Sequence, residues 1–389
     1  MALALVVLTH FVAETGRQIG DRPGVSKLSG AIDPLSSLGG TGVLLFFVLS
    51  GFLLFLPFAR HMLAGAPRPS TRRFFKRRAL RILPAYYVAI ALTAIVFGEG
   101  ATPKQVITHL LLIHNFSSET YFGLNGPTWS MAVESQFYAL LPLLALGLAR
   151  LTSRSGWWLA AGLTGLLLAS PAASLLYSGL ARVAADLDLS FLTAISSLGV
   201  FAAGMLAACL LVLRETGRLS ESLANRLARA GVVAFGVIFA AEMAIRGFGL
   251  ETGFVERLHF YAYLLVMAAC YLGLLLHVLF RGGTIGRVLS MPAPRFLGDI
   301  SFSGYLVHYP LLVYVVVPLA RRAPDGLALL VAVAGVFVIV LPIAFASFWF
   351  VERPFLQRKH DDRASRSTLA DADAQPPPAA RDPRPVSLP

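Results

Sequence analysis

Apolar stretches of about 18 to 25 residues recur along this chain, and that length limits its fold more than any other feature. A helix rises about 1.5 Å per residue, so such a stretch crosses about 30 Å of hydrocarbon, where the backbone must satisfy its own N–H and C=O groups. Ten stretches are read, at about 1–14, 39–60, 80–98, 130–149, 156–178, 190–213, 230–246, 258–280, 296–320 and 326–350. Alternating segments of strand length are absent, which predicts an all-α fold, a polytopic membrane helix bundle. Composition agrees: with 56% hydrophobic residues, 14% charged and a mean hydropathy of +0.70, a soluble chain of 389 residues could not hide its apolar surface.

Positive residues mark cytoplasmic loops. The loop after the second stretch carries Arg60, Arg68, Arg72, Arg73, Lys76, Arg77, Arg78 and Arg81, which assigns it to the cytoplasm and, counting stretches, places both termini there. On this topology the inside loops hold 17 of the 33 Lys and Arg, the outside loops 9 and the segment after the tenth stretch 7. The net charge of +12 is therefore a topology signal. It does not point to nucleic acid, because its residues flank membrane spans. A multi-pass protein of the inner (plasma) membrane is expected, in contact with membrane lipids.

The chain reads as one membrane domain, 1–356, followed by a disordered cytoplasmic tail, 357–389, rich in Pro, Ala, Asp and Arg. The first stretch lacks the basic start of a signal peptide and carries His10 within it. Cys209 and Cys270 fall inside apolar stretches and read as packing residues; no metal-ligand spacing is present and no metal site is expected.

The chemistry must then come from polar groups in or beside the spans. A carboxylate at the centre of a bilayer helix costs roughly 2.5 to 3.5 kcal/mol, so Glu134, in the first turn of "SMAVESQFYALLPLL", calls for a partner or a reaction. Its alternatives are a helix cap and a headgroup contact. His10 in "ALVVLTHFVAE" and His308 in "SFSGYLVHYPLL" are each readable as packing hydrogen bonders, but the derived topology lets all three residues face one cavity. On the basic side, Arg78 and Arg81 are three apart and share a helical face at the membrane boundary, a place to hold a polyphosphate. Gly39, Gly40, Gly42, Ser50 and Gly51 read as close-packing residues, and Glu352 and Arg353 as an ion pair or helix anchor.

Five stretches, in order, resemble the membrane acyltransferase 3 family of bacterial integral-membrane O-acyltransferases. They are "VVLTHF", "GGTGVLLFFVLSGFLL", "FFKRRALRILPAYY", "PTWSMAVESQFYALLPLL" and "FLGDISFSGYLVHYPLL", with "FVERPF" following. The resemblance covers residues 1 to about 356. It implies a catalytic histidine at His10, and a role with the acyl donor for the arginines matching Arg78 and Arg81. It also implies acyl-CoA, with acetyl-CoA expected, as that donor, no bound cofactor, and a sugar acceptor on a polysaccharide, glycolipid or secreted metabolite. The family's first span carries an arginine about ten residues before the histidine, which this chain begins too late to contain; a start further upstream is expected. A stand-alone form without an SGNH domain is also expected.

Acyl transfer to an unactivated hydroxyl needs a base, and imidazole, with a pKa near 6.5, suits that task. His10 is read as the base, with Glu134 orienting it as a carboxylate does in triads. Trp129, Tyr138, Ser50 and His308 are candidate donors to the substrate oxyanion. Direct transfer and an acyl-His10 intermediate both remain open. The rival class is a secondary transporter with buried His and Glu, which should show inverted repeats that this sequence does not display.

Overall fold

Each of the ten apolar stretches overlaps a helix in the computed structural model, which describes residues 1–21, 39–98, 100–152, 156–169, 172, 193–247, 253–324 and 326–357. These helices are α1 (Ala2–Ile19), α2 (Thr41–Ala64), α3 (Thr71–Val96), α4 (Trp129–Thr152), α5 (Gly156–Leu168), α6 (Thr193–Glu215), α7 (Glu221–Gly247), α8 (Gly253–Phe280), α9 (Ser301–Arg322) and α10 (Ala328–Gln357). Among the described residues there is no strand. The molecule is an all-α polytopic membrane bundle.

Eight helices are long and apolar enough to cross a membrane, against the ten stretches read from the sequence. The two that fall short do so for different reasons. α1 has 18 residues but carries His10, Glu14, Arg17 and Gln18, which lower its hydropathy. α5 has 13 residues, about 20 Å of helix, and most of the remainder of its predicted stretch lies outside the described residues. The tail expected over 357–389 likewise lies outside them, beyond Gln357.

Close backbone packing holds the centre. A Cβ on Gly51 of α2 would fall on the Phe201 carbonyl of α6, and one on Gly204 of α6 would fall on the Val48 carbonyl of α2. Any side chain at either position would push the two helices apart, so small residues here set their separation. Gly42 repeats the device against α1, where a Cβ would stand 2.6 Å from the Ala2 carbonyl oxygen. The Thr41 and Tyr271 hydroxyls, 2.5 Å apart, tie α2 to α8.

Polar ties show which helix ends share a face. Arg60 at the end of α2 pairs with Glu215 of α6 at 3.0 Å, and Arg218 donates to the Leu63 carbonyl at 2.7 Å. The Arg60–Glu215 pair is exposed and contributes at most about 1 kcal/mol. Its use is as a marker of the basic face. The α3–α4 connector lies at the other end of α3, where the Tyr86 hydroxyl donates to the His109 carbonyl. It holds a helix over Pro103–Leu110, started by a capping box of Thr102 and Gln105.

This connector is pinned to α9 by a defect in that helix. The Leu306 carbonyl would ordinarily bond the N–H four residues on, but that residue is Pro310, which has none. The buried Asn125 side chain fills the place, donating Nδ2–H to Leu306 O at 2.8 Å. Just beyond, Leu312–Val316 takes a π-helical turn, as α9 recovers from the proline. His308 and Tyr309 sit between the two irregularities.

Candidate active site

A cavity of about 190 Å³ lies between α2, α3, α4 and the start of α9. Its polar lining includes Ser50, Arg78, Arg81, Glu134 and Tyr138, with Tyr305 among the residues that complete it. Ser50 Oγ donates to Glu134 Oε1 in a short bond. Arg78 and Tyr138 lie within electrostatic reach of the same carboxylate. Arg78 lines the cavity, and its Nε is buried with no hydrogen-bond partner. Arg81 is exposed and stands where the cavity meets the basic end of α3. Behind it Glu352 of α10, 3% exposed, accepts from Ser303 Oγ at 2.9 Å. Arg353 instead covers the Trp349 ring at 3.7 Å, so the expected Glu352–Arg353 ion pair is not formed: the two side chains leave α10 in different directions.

The second polar centre is built from α1 and α9. The His10 ring lies 5.2 Å from that of His308 and 5.1 Å from that of Tyr309, edge-on to the latter. His308 is fully buried. Its Nδ1 is 2.7 Å from the Tyr305 carbonyl oxygen, which can only accept, so this nitrogen carries the proton. A neutral His308 then presents Nε2, buried without a partner, as a lone pair beside His10. In this tautomer the ring's one N–H is taken by the Tyr305 carbonyl.

The carboxylate near His10 is Glu14, one helical turn along α1, and 7% exposed. Arg17 Nη2 at 2.5 Å, Gln18 Nε2 at 3.0 Å and the Tyr309 hydroxyl at 3.5 Å all donate to it. Sequence reading passed over Glu14 because it ends the first apolar stretch, although the i, i+4 spacing in "HFVAE" carries the signal. Tyr309 was likewise missed, and its adjacency to His308 was the clue.

Cavity and histidine pair are distinct. Ser301 lines the cavity and His308 follows seven residues later, about 10 Å along the helix. Tyr305, which also lines the cavity, joins the two: its ring is 5.6 Å from that of His308, and its hydroxyl is 2.6 Å from Ser130 Oγ and 2.5 Å from the Pro127 carbonyl. The three residues expected to face one cavity thus divide. His10 and His308 meet, while Glu134 joins Ser50, Arg78 and Tyr138, and no hydrogen bond, ion pair or ring contact links it to His10 among the described residues. The orienting role expected of Glu134 toward His10 thus has no direct contact behind it among the described residues. Trp129 is stacked on Tyr121 at 5.7 Å and edge-on to Phe47, outside the cavity lining. Ser50 has committed its proton to Glu134.

The connector holds another histidine pair, His109 and His114, both fully buried, with parallel rings 3.9 Å apart. Burial lowers the pKa of both. His114, which also faces His109, is pushed down to about 3. Both are neutral at physiological pH and serve to pack the connector.

The class defined by these features is a polytopic membrane protein with a histidine pair in its interior and a cavity lined by Arg78 and Arg81 at its basic face. Residues 1–349 match the model of the Acyl_transf_3 family, described as an acyltransferase domain, and the chain belongs to that family. It is 26% identical over 348 residues to the peptidoglycan O-acetyltransferase OatA of Listeria monocytogenes, covering 81% of this chain and 51% of that protein. It is 27% identical over 307 residues to the putative peptidoglycan O-acetyltransferase YrhL of Bacillus subtilis, covering 71% and 44%. Acyltransferase MdmB of Streptomyces mycarofaciens is 27% identical over 147 residues, 35% of this chain and 36% of that protein. The chain spans about half or less of the length of these curated relatives. No solved structure matches it.

Proposed function

We propose that this protein is an integral-membrane O-acyltransferase that moves an acyl group, acetyl in the simplest case, from cytoplasmic acyl-CoA to a hydroxyl of a carbohydrate acceptor. The acceptor belongs to an envelope polysaccharide, a glycolipid or a secreted metabolite. The membrane is the inner (plasma) membrane, with both termini cytoplasmic. Family membership and relatives named for O-acetyl transfer support the reaction class. The single observation that carries the mechanism is that Tyr305 both lines the arginine-containing cavity at the basic face and packs against His308, whose ring lies beside that of His10.

In this reading Arg78 and Arg81 hold the donor's phosphates at the basic face, where guanidinium groups suit such oxygens. The flexible pantetheine arm passes Ser50 and Glu134 and carries the thioester beyond Tyr305. His10 takes the proton of the acceptor hydroxyl as its oxygen attacks the thioester carbonyl. The tetrahedral intermediate collapses, the carbon–sulfur bond breaks, and the imidazolium returns the proton to the thiolate, releasing CoA. Glu14 stabilises the imidazolium through its charge. Tyr309, edge-on to His10 and held by Glu14 only at 3.5 Å, offers its hydroxyl to the oxyanion.

The test is vesicle reconstitution with known orientation. Labelled acetyl-CoA on the face of the basic loop should acylate only an acceptor on the opposite face. Arg81→Ala should raise the KM for acetyl-CoA, and His10→Gln should lower kcat by at least about a hundredfold. Equal product with both substrates on the basic face would refute the trans-bilayer path. Near-normal turnover of His10→Gln would remove His10 from the chemistry.

A further inference from the structure

Between α8 and α9 the chain forms two short helices, Gly283–Leu289 and Pro292–Asp299, on the basic face of the bundle. Neither has a buried residue. Arg281, Arg287 and Arg295 are exposed along this connector, and none forms an ion pair among the described residues. Arg287 reaches only the hydroxyl of Thr284, at 3.2 Å, and Arg281 only Asn225, at 3.5 Å. Interleaved with these cations are apolar side chains that a water-facing loop would not display: Val288, Leu289, Met291, Phe296 and Leu297, all at least 37% exposed.

The depth of the connector is marked independently. The Phe296 ring lies 5.7 Å from that of Phe345 on α10, and Phe345 lies 5.8 Å from Trp349. Phe345, Trp349 and Phe350 are exposed on the bundle wall, and Arg353 caps Trp349 one turn further on. Trp is enriched where a membrane span meets the headgroups, so the exposed Trp349 ring with the Arg353 cation over it marks that level. Phe296 joins the connector to it through Phe345.

We infer that residues 281–299 lie in the plane of the membrane surface as a binding site for anionic phospholipid, with the apolar side chains in the acyl layer and Arg281, Arg287 and Arg295 on the headgroup phosphates. An in-plane amphipathic segment with basic residues binds through buried apolar area together with attraction to anionic lipid. The lone acid of the connector, Asp299, sits at its end. α9 starts directly afterwards with Ser301 and Phe302, which line the cavity, so a lipid seated here also fixes that wall.

The full chain, purified in detergent, is titrated with phosphatidylglycerol or phosphatidylcholine and followed by native mass spectrometry. The wild type should bind phosphatidylglycerol in preference to phosphatidylcholine, and each of Arg281→Gln, Arg287→Gln and Arg295→Gln should weaken that binding about fivefold. An Arg226→Gln/Arg229→Gln variant, basic residues of the same face but outside the connector, should keep it. Equal binding of the two lipids, an unchanged preference in the connector variants, or the same loss in the control pair would each overturn the inference. So would displacement of phosphatidylglycerol by free CoA, which would mark the surface as a reader of soluble phosphate. None of these readouts depends on acyl transfer.

Discussion

Replacing Glu14 by Gln removes one negative charge from beside His10 while keeping the side chain's size and most of its hydrogen-bonding capacity. If His10 is the base, the transition state carries a developing imidazolium, and the carboxylate one turn away stabilises it. Residues four apart on a helix have Cβ atoms about 6 Å apart. At an effective dielectric constant of about 20, two unit charges at that separation attract by about 3 kcal/mol. Arg17 offsets part of this, since it holds the same carboxylate at 2.5 Å, but its side chain is 65% exposed and screened by water. A net loss of about 1 to 2 kcal/mol is expected in Glu14→Gln, or about five- to thirtyfold in kcat/KM.

The assay is transfer from labelled acetyl-CoA to a carbohydrate acceptor in proteoliposomes. KM for acetyl-CoA should be unchanged if, as proposed, the donor's phosphates bind at the other centre. Glu14→Asp should recover part of the rate, and Glu14→Ala should resemble Glu14→Gln. Glu134→Gln should behave in the opposite way, raising the KM for acetyl-CoA through Arg78 more than it lowers kcat. A Glu14→Gln enzyme with full kcat, or a loss confined to KM, would refute the electrostatic reasoning. So would a thermal midpoint that fell in proportion to the rate.

Three further outcomes follow from the packing. Asn125→Ala strips the Leu306 carbonyl of its donor opposite Pro310 and should cost about 1 to 3 kcal/mol of stability, read as a lower thermal midpoint in detergent. Gly204→Leu should reduce the folded yield sharply by forcing α2 and α6 apart, whereas Gly165→Leu, where nothing lies within 4 Å, should be tolerated; equal behaviour would refute the packing argument. His114, held at about 3 in the fold against 6.5 in its absence, takes up a proton between those values only when unfolded. Stability should therefore fall as pH drops below about 6.5, by up to about 1.4 kcal/mol per unit, and His114→Asn should flatten thermal midpoints measured from pH 7 to 5.

The lengths of the apolar stretches made the helices legible, because bilayer thickness is a ruler the sequence must obey. His10 and His308 were legible as neighbours because topology alone sends α1 and α9 the same way through the bundle. Depth was not legible to within a turn. Whether Glu134 reaches His10 depends on how α4 slides against α2 and α9, and that register is fixed by contacts between distant residues, such as the Ser130 and Tyr305 hydroxyls at 2.6 Å. No pattern in "SMAVESQFYALL" encodes it. Glu14 was the opposite case: its i, i+4 relation to His10 is local and was readable, but its position at the end of a stretch drew attention to the membrane boundary instead.

The division into two centres has an electrostatic reason. A charge inside the bundle must be compensated where it sits, since breaking a buried pair by removing one partner costs about 3 to 5 kcal/mol. Glu134 has Ser50, Arg78 and Tyr138 around it, and Glu14 has Arg17, Gln18 and Tyr309. Moving Glu134 up to His10 would set two carboxylates beside one imidazole and strand Arg78, whose Nε already lacks a partner. Keeping them apart leaves Glu14 paired with Arg17, and Glu134 set against Arg78 and Arg81 in a cavity of net positive charge. On the proposed mechanism the cavity side would bind an anionic ligand through Arg78 and Arg81, and the histidine side would take up a proton at His10. Donor binding and proton transfer would thus fall, on that mechanism, to different groups along α9, with Tyr305 touching both.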